Sequence, residues 1–409
     1  MLALRCAQVF DGERFSAGPA TVLLDAGRVV GVESGHPEMA EPWQVIDYRT
    51  ATAVPGLIDT HVHLTCDSRP GALDRVPQAS ADELHDIVTQ SLSRQLAAGV
   101  TTVRDLGDID FHVLAYRAQP APGLRRIEPT IVASGPPLTV AGGHCHFLGG
   151  VIGNTEGDVA LAIRKRVELG ADVVKVMASG GMLTPGTDVM RTQFSGGQLR
   201  LIVESAHAAG LPVTAHAHGL PAVEEAVDAG VDGVEHCSCL TDTGMVVPDR
   251  LIAAMADHGV AVSGVIPPKP GMDLTEALPA IRDFFALTGL SMDRIRELRA
   301  QMIARLHEAG VTVVTGLDAG LNPWLAHGNL PAALDLLSEA GLTSGQILAA
   351  ATARAAEVCG LGDRKGKLRA DYDADVVLLD GDASGDVPAA CRRIVDVYVG
   401  GQLVEEPSG

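Results

Sequence analysis

The chain has 409 residues, 46% of them hydrophobic and 20% charged, and 51 acidic against 31 basic residues give a formal net charge of −20. That length allows one elaborated barrel or a large domain with a smaller companion, and the acidic balance argues against nucleic acid or an anionic membrane surface as partner. Aromatic residues make up only 3%, so the core must be packed from Ala, Val, Leu and Ile. The seven cysteines are an odd number without the spacing of a disulfide framework, which fits reduced thiols in a cytoplasmic protein. The first residues lack the charged start and apolar run of a signal peptide. No uninterrupted apolar run approaches the ~18 residues of a membrane span.

In chain order, residues 20–24 and 28–32 are apolar, β-branched runs around an Asp25-Ala26-Gly27 turn, the pattern of a hairpin. The same texture returns at 374–380 and 394–401. Residues 1–53 and 362–409 are therefore expected to join as a composite β-sandwich domain around a different middle. That middle, 54–361, alternates strand and helix. Strand-like segments fall at 55–64, 101–104, 130–133, 172–177, 212–216, 233–236, 260–263 and 311–316. Helical patterns at 198–209, 221–229 and 292–309 each run into a glycine, Gly210, Gly230 and Gly310, just before the next strand. Eight such units predict an α/β fold, a (β/α)8 TIM-like barrel.

Chemistry in such a barrel sits at the C-terminal ends of the strands. The first segment, Pro55-Gly56-Leu57-Ile58-Asp59-Thr60-His61-Val62-His63, ends in two histidines whose i, i+2 spacing points both to one face. Lys175 lies in the fourth, His216 and then His218 end the fifth, His236 the sixth, and Asp318 the eighth. Any one of these is as readily a satisfied core residue. Their recurrence at one end of different strands argues for a metal cage. Lys175, flanked by Val174 and Val176, is costly to bury as a cation. It either pairs with an acid, or, beside two divalent cations, is neutral and adds CO₂ to become a bridging carbamate. The nitrogen and oxygen donors suit Zn²⁺, with Mn²⁺, Co²⁺ or Fe²⁺ as alternatives.

The His-x-His segment with Lys175, His216, His236 and Asp318 in this order resembles the amidohydrolase superfamily. Lys175-Val176-Met177-Ala178-Ser179-Gly180-Gly181 and Ala215-His216-Ala217-His218-Gly219 are similar to its imidazolonepropionase-related, prolidase-like branch of dipeptidases and N-acyl-amino-acid hydrolases. The resemblance implies a two-metal centre, expected as zinc by ligand type: His61, His63 and Asp318 on the buried ion, His216 and His236 on the second. Carbamylated Lys175 and a hydroxide would bridge them, with Asp318 as general base and acid. It also implies that His144, in the loop Ala141-Gly142-Gly143-His144-Cys145-His146, faces the substrate and stabilises the oxyanion, with His146 a weaker alternative. His218 would touch substrate, and Arg191 would meet a substrate carboxylate unless it is a surface arginine.

Arg104-Asp105 is expected to be a structural ion pair, and 267–290 a specificity loop. Asp371 stands where relatives usually carry glycine. The expected activity is hydrolysis of a dipeptide or N-acyl amino acid, a carboxylate-bearing small molecule, by a cytoplasmic homo-oligomer without nucleic-acid or membrane partners. A carbamate or urea hydrolase is the rival. A mononuclear deaminase or cyclic-amidine hydrolase is disfavoured by Lys175, and a non-catalytic scaffold by the full ligand set.

Overall fold

The computed structural model describes residues 1–119, 127–263, 282 and 289–405. Most of the expected specificity loop at 267–290 lies outside them. The first strands are β1 (Leu2–Val9), β2 (Ala20–Asp25), β3 (Arg28–Ser34) and β4 (Gln44–Pro55). The middle supplies β5 (Leu57–Val62), β6 (Val100–Asp105), β7 (Thr130–Ala133), β8 (Val174–Met177), β9 (Val213–Gly219) and β10 (Gly233–Thr241). It continues with β11 (Gly244–Met245), β12 (Ala261–Ser263) and β13 (Thr312–Val313), and the far end adds β14 (Val376–Asp380), β15 (Ile394–Val399) and β16 (Gln402–Leu403).

Strands from both chain ends pair in one continuous seven-stranded sheet, ordered β16-β15-β14-β4-β1-β2-β3. The join is β4 against β14, antiparallel, with Val54 opposite Val377. Side chains alternate between the faces of a strand, and the two cores follow that period. Val376 and Leu378 pack with Leu4, Val22 and Ala53 in one cluster. Val377 and Leu379 turn the other way, into the large core of the middle segment. Asp371 adopts φ 73°, a left-handed conformation that favours glycine. The Asp371 turn is thus made in spite of its side chain.

The eight strand-like segments of the middle are all strands and all run parallel, in two sheets, β5-β6-β7 and β8-β9-β10-β12-β13. Backbone hydrogen bonds join the sheets on both sides. Leu138 donates to Lys175 O and Met177 to Leu138 O beyond β7. Thr60 donates to Thr315 O, and Ala319 to His61 O, beyond β13. Between the strands lie amphipathic helices, among them Ala81–Ala97, Glu156–Glu168, Gly196–Ala208, Leu220–Ala229 and Met292–Glu308. Ser80, Thr155 and Ser195 start three of them with reciprocal capping boxes. Gly230 closes Leu220–Ala229 at φ 85°. Being parallel, the strands of the middle end on one side, and β5, β9, β10 and the segment after β13 bring their last side chains together at one mouth.

Candidate metal centre and active site

At that mouth two groups of possible ligands converge. The donor atoms of His61, His63 and Asp318 lie within 4.8 Å of one another, as do those of His216, His218 and His236, and all six residues are buried. Asp318 Oδ1 is 3.3 Å from His61 Nε2 and 3.0 Å from His63 Nε2. Donors bound at ~2.0–2.1 Å in a tetrahedral shell sit ~3.3 Å apart, so this group has the spacing of a shell around an ion. The His61 and His236 rings, 5.2 Å between centroids, bring the two groups together.

The outer atoms of these rings are held. His63 Nδ1 is 2.9 Å from Gly107 O, His216 Nε2 is 3.2 Å from Gly180 O, and His218 Nδ1 is 3.0 Å from Ser238 Oγ. His61 Nδ1 is 2.8 Å from Glu235 Oε2. A carboxylate behind the ring fixes its tautomer and leaves Nε2 for a metal. Glu235 is held in turn by Arg104 Nη2 at 2.9 Å and Thr214 Oγ1 at 2.7 Å. Arg104 therefore pairs with Glu235, across the strands, and not with its neighbour Asp105. Asp105 accepts instead from the backbone N–H groups of Leu64 and Gly107.

Glu235 was not anticipated from sequence. In an extended strand it and His236 would face opposite sides. His236, however, has φ 67°, which breaks the alternation and lets both consecutive side chains reach His61. Asp318 is likewise left-handed at φ 61°. Backbone strain of this kind persists where surrounding contacts enforce it, and it clusters at functional sites. Glu235→Gln is expected to leave Arg104 buried without a countercharge and to cost about 3–5 kcal/mol. Denaturant titration of metal-free wild type and variant measures it.

Lys175 is 1% exposed, and its Nζ has no hydrogen-bond partner among the described residues. Burial pulls the ammonium down to about 8, against the opposing pull of Glu235 and Asp318. Burial alone would raise the Asp318 carboxyl, but the His61 and His63 imidazoles outweigh it and hold it at about 2. An unsatisfied buried amine beside an ionised carboxylate and neutral imidazoles is a donor set that fits divalent cations.

Burial also keeps the imidazoles of His61, His144, His216, His218, His236 and His327 below their ordinary value of 6.5, to about 3 for His144 and His218 and about 4 for His327. Such groups take up protons on unfolding. Their contribution to stability is complete above pH 6.5 and is lost as pH falls toward their folded values. His63, Asp59, Asp105, Asp108 and Glu225 oppose this, His63 because Asp318 outweighs burial, the carboxyls because burial raises them, that of Asp59 to about 7. Burial lowers His112 and His307 as well, and the lowered imidazoles, being the more numerous, set the direction. The melting temperature of the chelated protein is expected to drop between pH 6.5 and pH 5.

His144 joins the centre. Its Nδ1 is 2.8 Å from Thr184 Oγ1, its N–H donates to Gln193 Oε1, and its ring stands 4.7 Å from that of His216. A β-carbon on Gly181 would lie 2.3 Å from His144 Nε2, so glycine there is what admits the ring. His146 is exposed. Arg191 stays outside as well: its side chain is 83% exposed and pairs with Asp188 at 3.2 Å. The buried guanidinium on this side is that of Arg299, in the helix Met292–Glu308, and its charge is one of the influences that keep His218 neutral. Nothing in the local pattern around Arg299 marked it, because it sits within a helix among other arginines. All seven cysteines are buried and free, with Cys237 and Cys239 Sγ atoms 4.0 Å apart. Among the described residues no helix is long and apolar enough to cross a membrane.

Parallel strands that deliver histidines, a lysine and an aspartate to one mouth define a metal-dependent hydrolase class, and comparison agrees. Residues 52–404 match the model of the Amidohydrolase family, and the chain belongs to that family. It is 26% identical to ochratoxinase of Aspergillus niger over 97% of this chain and 85% of that one. It is 29% identical to imidazolonepropionase of Stenotrophomonas maltophilia over 92% and 90%. A Xaa-Pro dipeptidase crystallised with methionine in its active site shares the fold, with a TM-score of 0.85 at 22% identity over 99% of both chains. The chain is a hydrolase acting on C–N bonds, and its solved neighbours include prolidases at 25% and 26% identity over 98% and 99% of this chain.

Proposed function

We propose that the protein is a two-metal hydrolase that cleaves the amide bond of a dipeptide or N-acyl amino acid. The observation that carries this reading is Lys175, a buried amine without a partner among the described residues and within electrostatic reach of both ligand groups. On this reading the eight parallel strands form a closed (β/α)8 barrel over 54–361, which the hydrogen bonds joining the two sheets support. Residues 1–53 and 362–409 form the second domain around the seven-stranded sheet.

His61, His63 and Asp318 would hold one ion and His216 and His236 the other, with zinc best matched to these donors. The neutral Lys175 amine attacks CO₂, its lone pair forming the N–C bond while one proton leaves to solvent. The buried amine thereby becomes a carbamate, whose longer arm would reach both groups. When bound, the ions supply an activated water and polarise the scissile carbonyl. Asp318 takes up a proton at a carboxylate oxygen and returns it to the departing nitrogen. Thr184 donates to His144 Nδ1, so that Nε2 carries the hydrogen offered to the carbonyl oxygen as negative charge develops. His218 contacts substrate with its Nδ1 tied to Ser238. Arg299, whose charge is felt at His218, would attract a substrate carboxylate in place of the exposed Arg191.

Metal analysis of the purified protein, expected to give two ions per chain, tests the centre. Assays of Xaa-Xaa dipeptides and N-acyl amino acids beside carbamates and ureas test the substrate. Turnover confined to the last two classes would overturn the reading of the substrate and leave the two-metal centre standing.

A further inference from the structure

One cluster beside this centre has no part in the chemistry just described. Leu240 and Ile295 are buried, and Met182, Met190, Met245 and Met292, with Val189 and Leu290, pack against them, each of the methionines partly exposed. Four of the ten methionines of the chain gather at this one place. Short runs of chain tie each part of the cluster to the candidate ligands. Leu240 lies four residues beyond His236 on β10 and is the register partner of Met245 on β11. Met182 follows Gly181, where a β-carbon would strike the His144 ring. The carbonyl oxygen of Met190 would lie 2.5 Å from a β-carbon on Gly219, the neighbour of His218. Ile295 is one helical turn from Arg299. The cluster is therefore tied by short runs of chain to His144, His218 and His236.

Resting on the amide-hydrolase reading, we propose that this methionine wall is the subsite for a bulky apolar substituent of the substrate, an aromatic or branched side chain. Four unbranched thioether side chains make a surface that is apolar, polarisable and able to re-pack around rings of different shape. A rigid aliphatic pocket would select one shape. A methionine wall selects size and apolarity, and the substrates that satisfy it form a family with a common hydrophobic arm.

The test uses the full chain loaded with metal. Both sides of the amide are varied separately, N-acetyl derivatives of glycine, alanine, leucine and phenylalanine on one side and acetyl-, butyryl- and benzoyl-glycine on the other. On at least one side kcat/KM is expected to rise by about 10-fold or more from the smallest to the largest member. Met245→Gln with Met292→Gln, which keeps side-chain length and removes apolarity, is expected to bring that ratio toward one. Met190→Gln serves as the second variant should the pair not fold, as judged by its melting curve. Calorimetric titration with phenylalanine against glycine and benzoate against acetate reads the same subsite without turnover. Tighter binding of a large ligand that the glutamine variants abolish supports the subsite even if no amide is cleaved, an outcome that would sink only the amide-hydrolase reading. Equal binding of large and small ligands, or a size preference that the variants leave intact, overturns the subsite whether or not amides are cleaved.

Discussion

Lys175→Ala is expected to lower kcat/KM by about 10³-fold or more, since it removes a group reaching both ions and several kcal/mol of charge stabilisation with it. The same variant should bind fewer than two ions per chain. The side chain is fully buried and its deletion removes an unsatisfied amine, so the apoprotein should fold at least as well as wild type. Loss of activity without loss of fold is the pattern to look for. Partial recovery with a short-chain carboxylate such as propionate would show that a carboxylate, and not an ammonium, is what the site lacks. Undiminished turnover by the alanine variant would remove Lys175 from the mechanism.

Asp318→Asn gives the second large effect. The amide keeps an oxygen for the metal but cannot take up the proton, and general acid–base assistance of this kind is worth about 10²–10⁴-fold. The loss should fall on kcat far more than on KM, because the carboxylate acts after substrate is bound. Metal content separates the two roles of the residue. A variant that retains two ions and loses kcat places the proton on Asp318. One that loses an ion with its activity makes Asp318 chiefly a ligand. Steady-state kinetics beside metal analysis on one preparation decides between them.

Much of this is legible in the amino-acid sequence. The eight parallel strands declare themselves because their cores are continuous β-branched runs, and buried parallel strands need apolar residues on both faces. His61, His63, Lys175, His216, His236 and Asp318 stand out because each interrupts or ends such a run. What could not be read is whatever depends on a broken period or a distant partner. The left-handed turn at His236 brings Glu235 and His236 to the same ring, and an alternation rule assigns them to opposite faces. Arg104 appeared to belong with Asp105 because they are adjacent; its partner lies 131 residues away. Arg191 looked available for a carboxylate since it follows a strand, yet its loop turns it to solvent beside Asp188. The joining of both chain ends was foreseen from texture, but as a sandwich; the structure has one continuous sheet, paired through β4 and β14 in a register that texture does not contain.

That pairing sets a schedule for making the protein. β4 has β1 on one side from the start, but its other edge waits for β14, whose pairing joins Ala51 to Asp380 and Pro55 to Val376. At translation rates of ~5–20 residues per second, that edge stays open on the nascent chain for tens of seconds. An open strand edge invites pairing with other chains. The middle segment, complete once residues 315–319 reach β5, can form before β14 is made and hold β4 nearby. Ribosome-bound chains stopped before residue 376 should therefore be the most dependent on chaperones, and a release of that dependence should coincide with the emergence of β14.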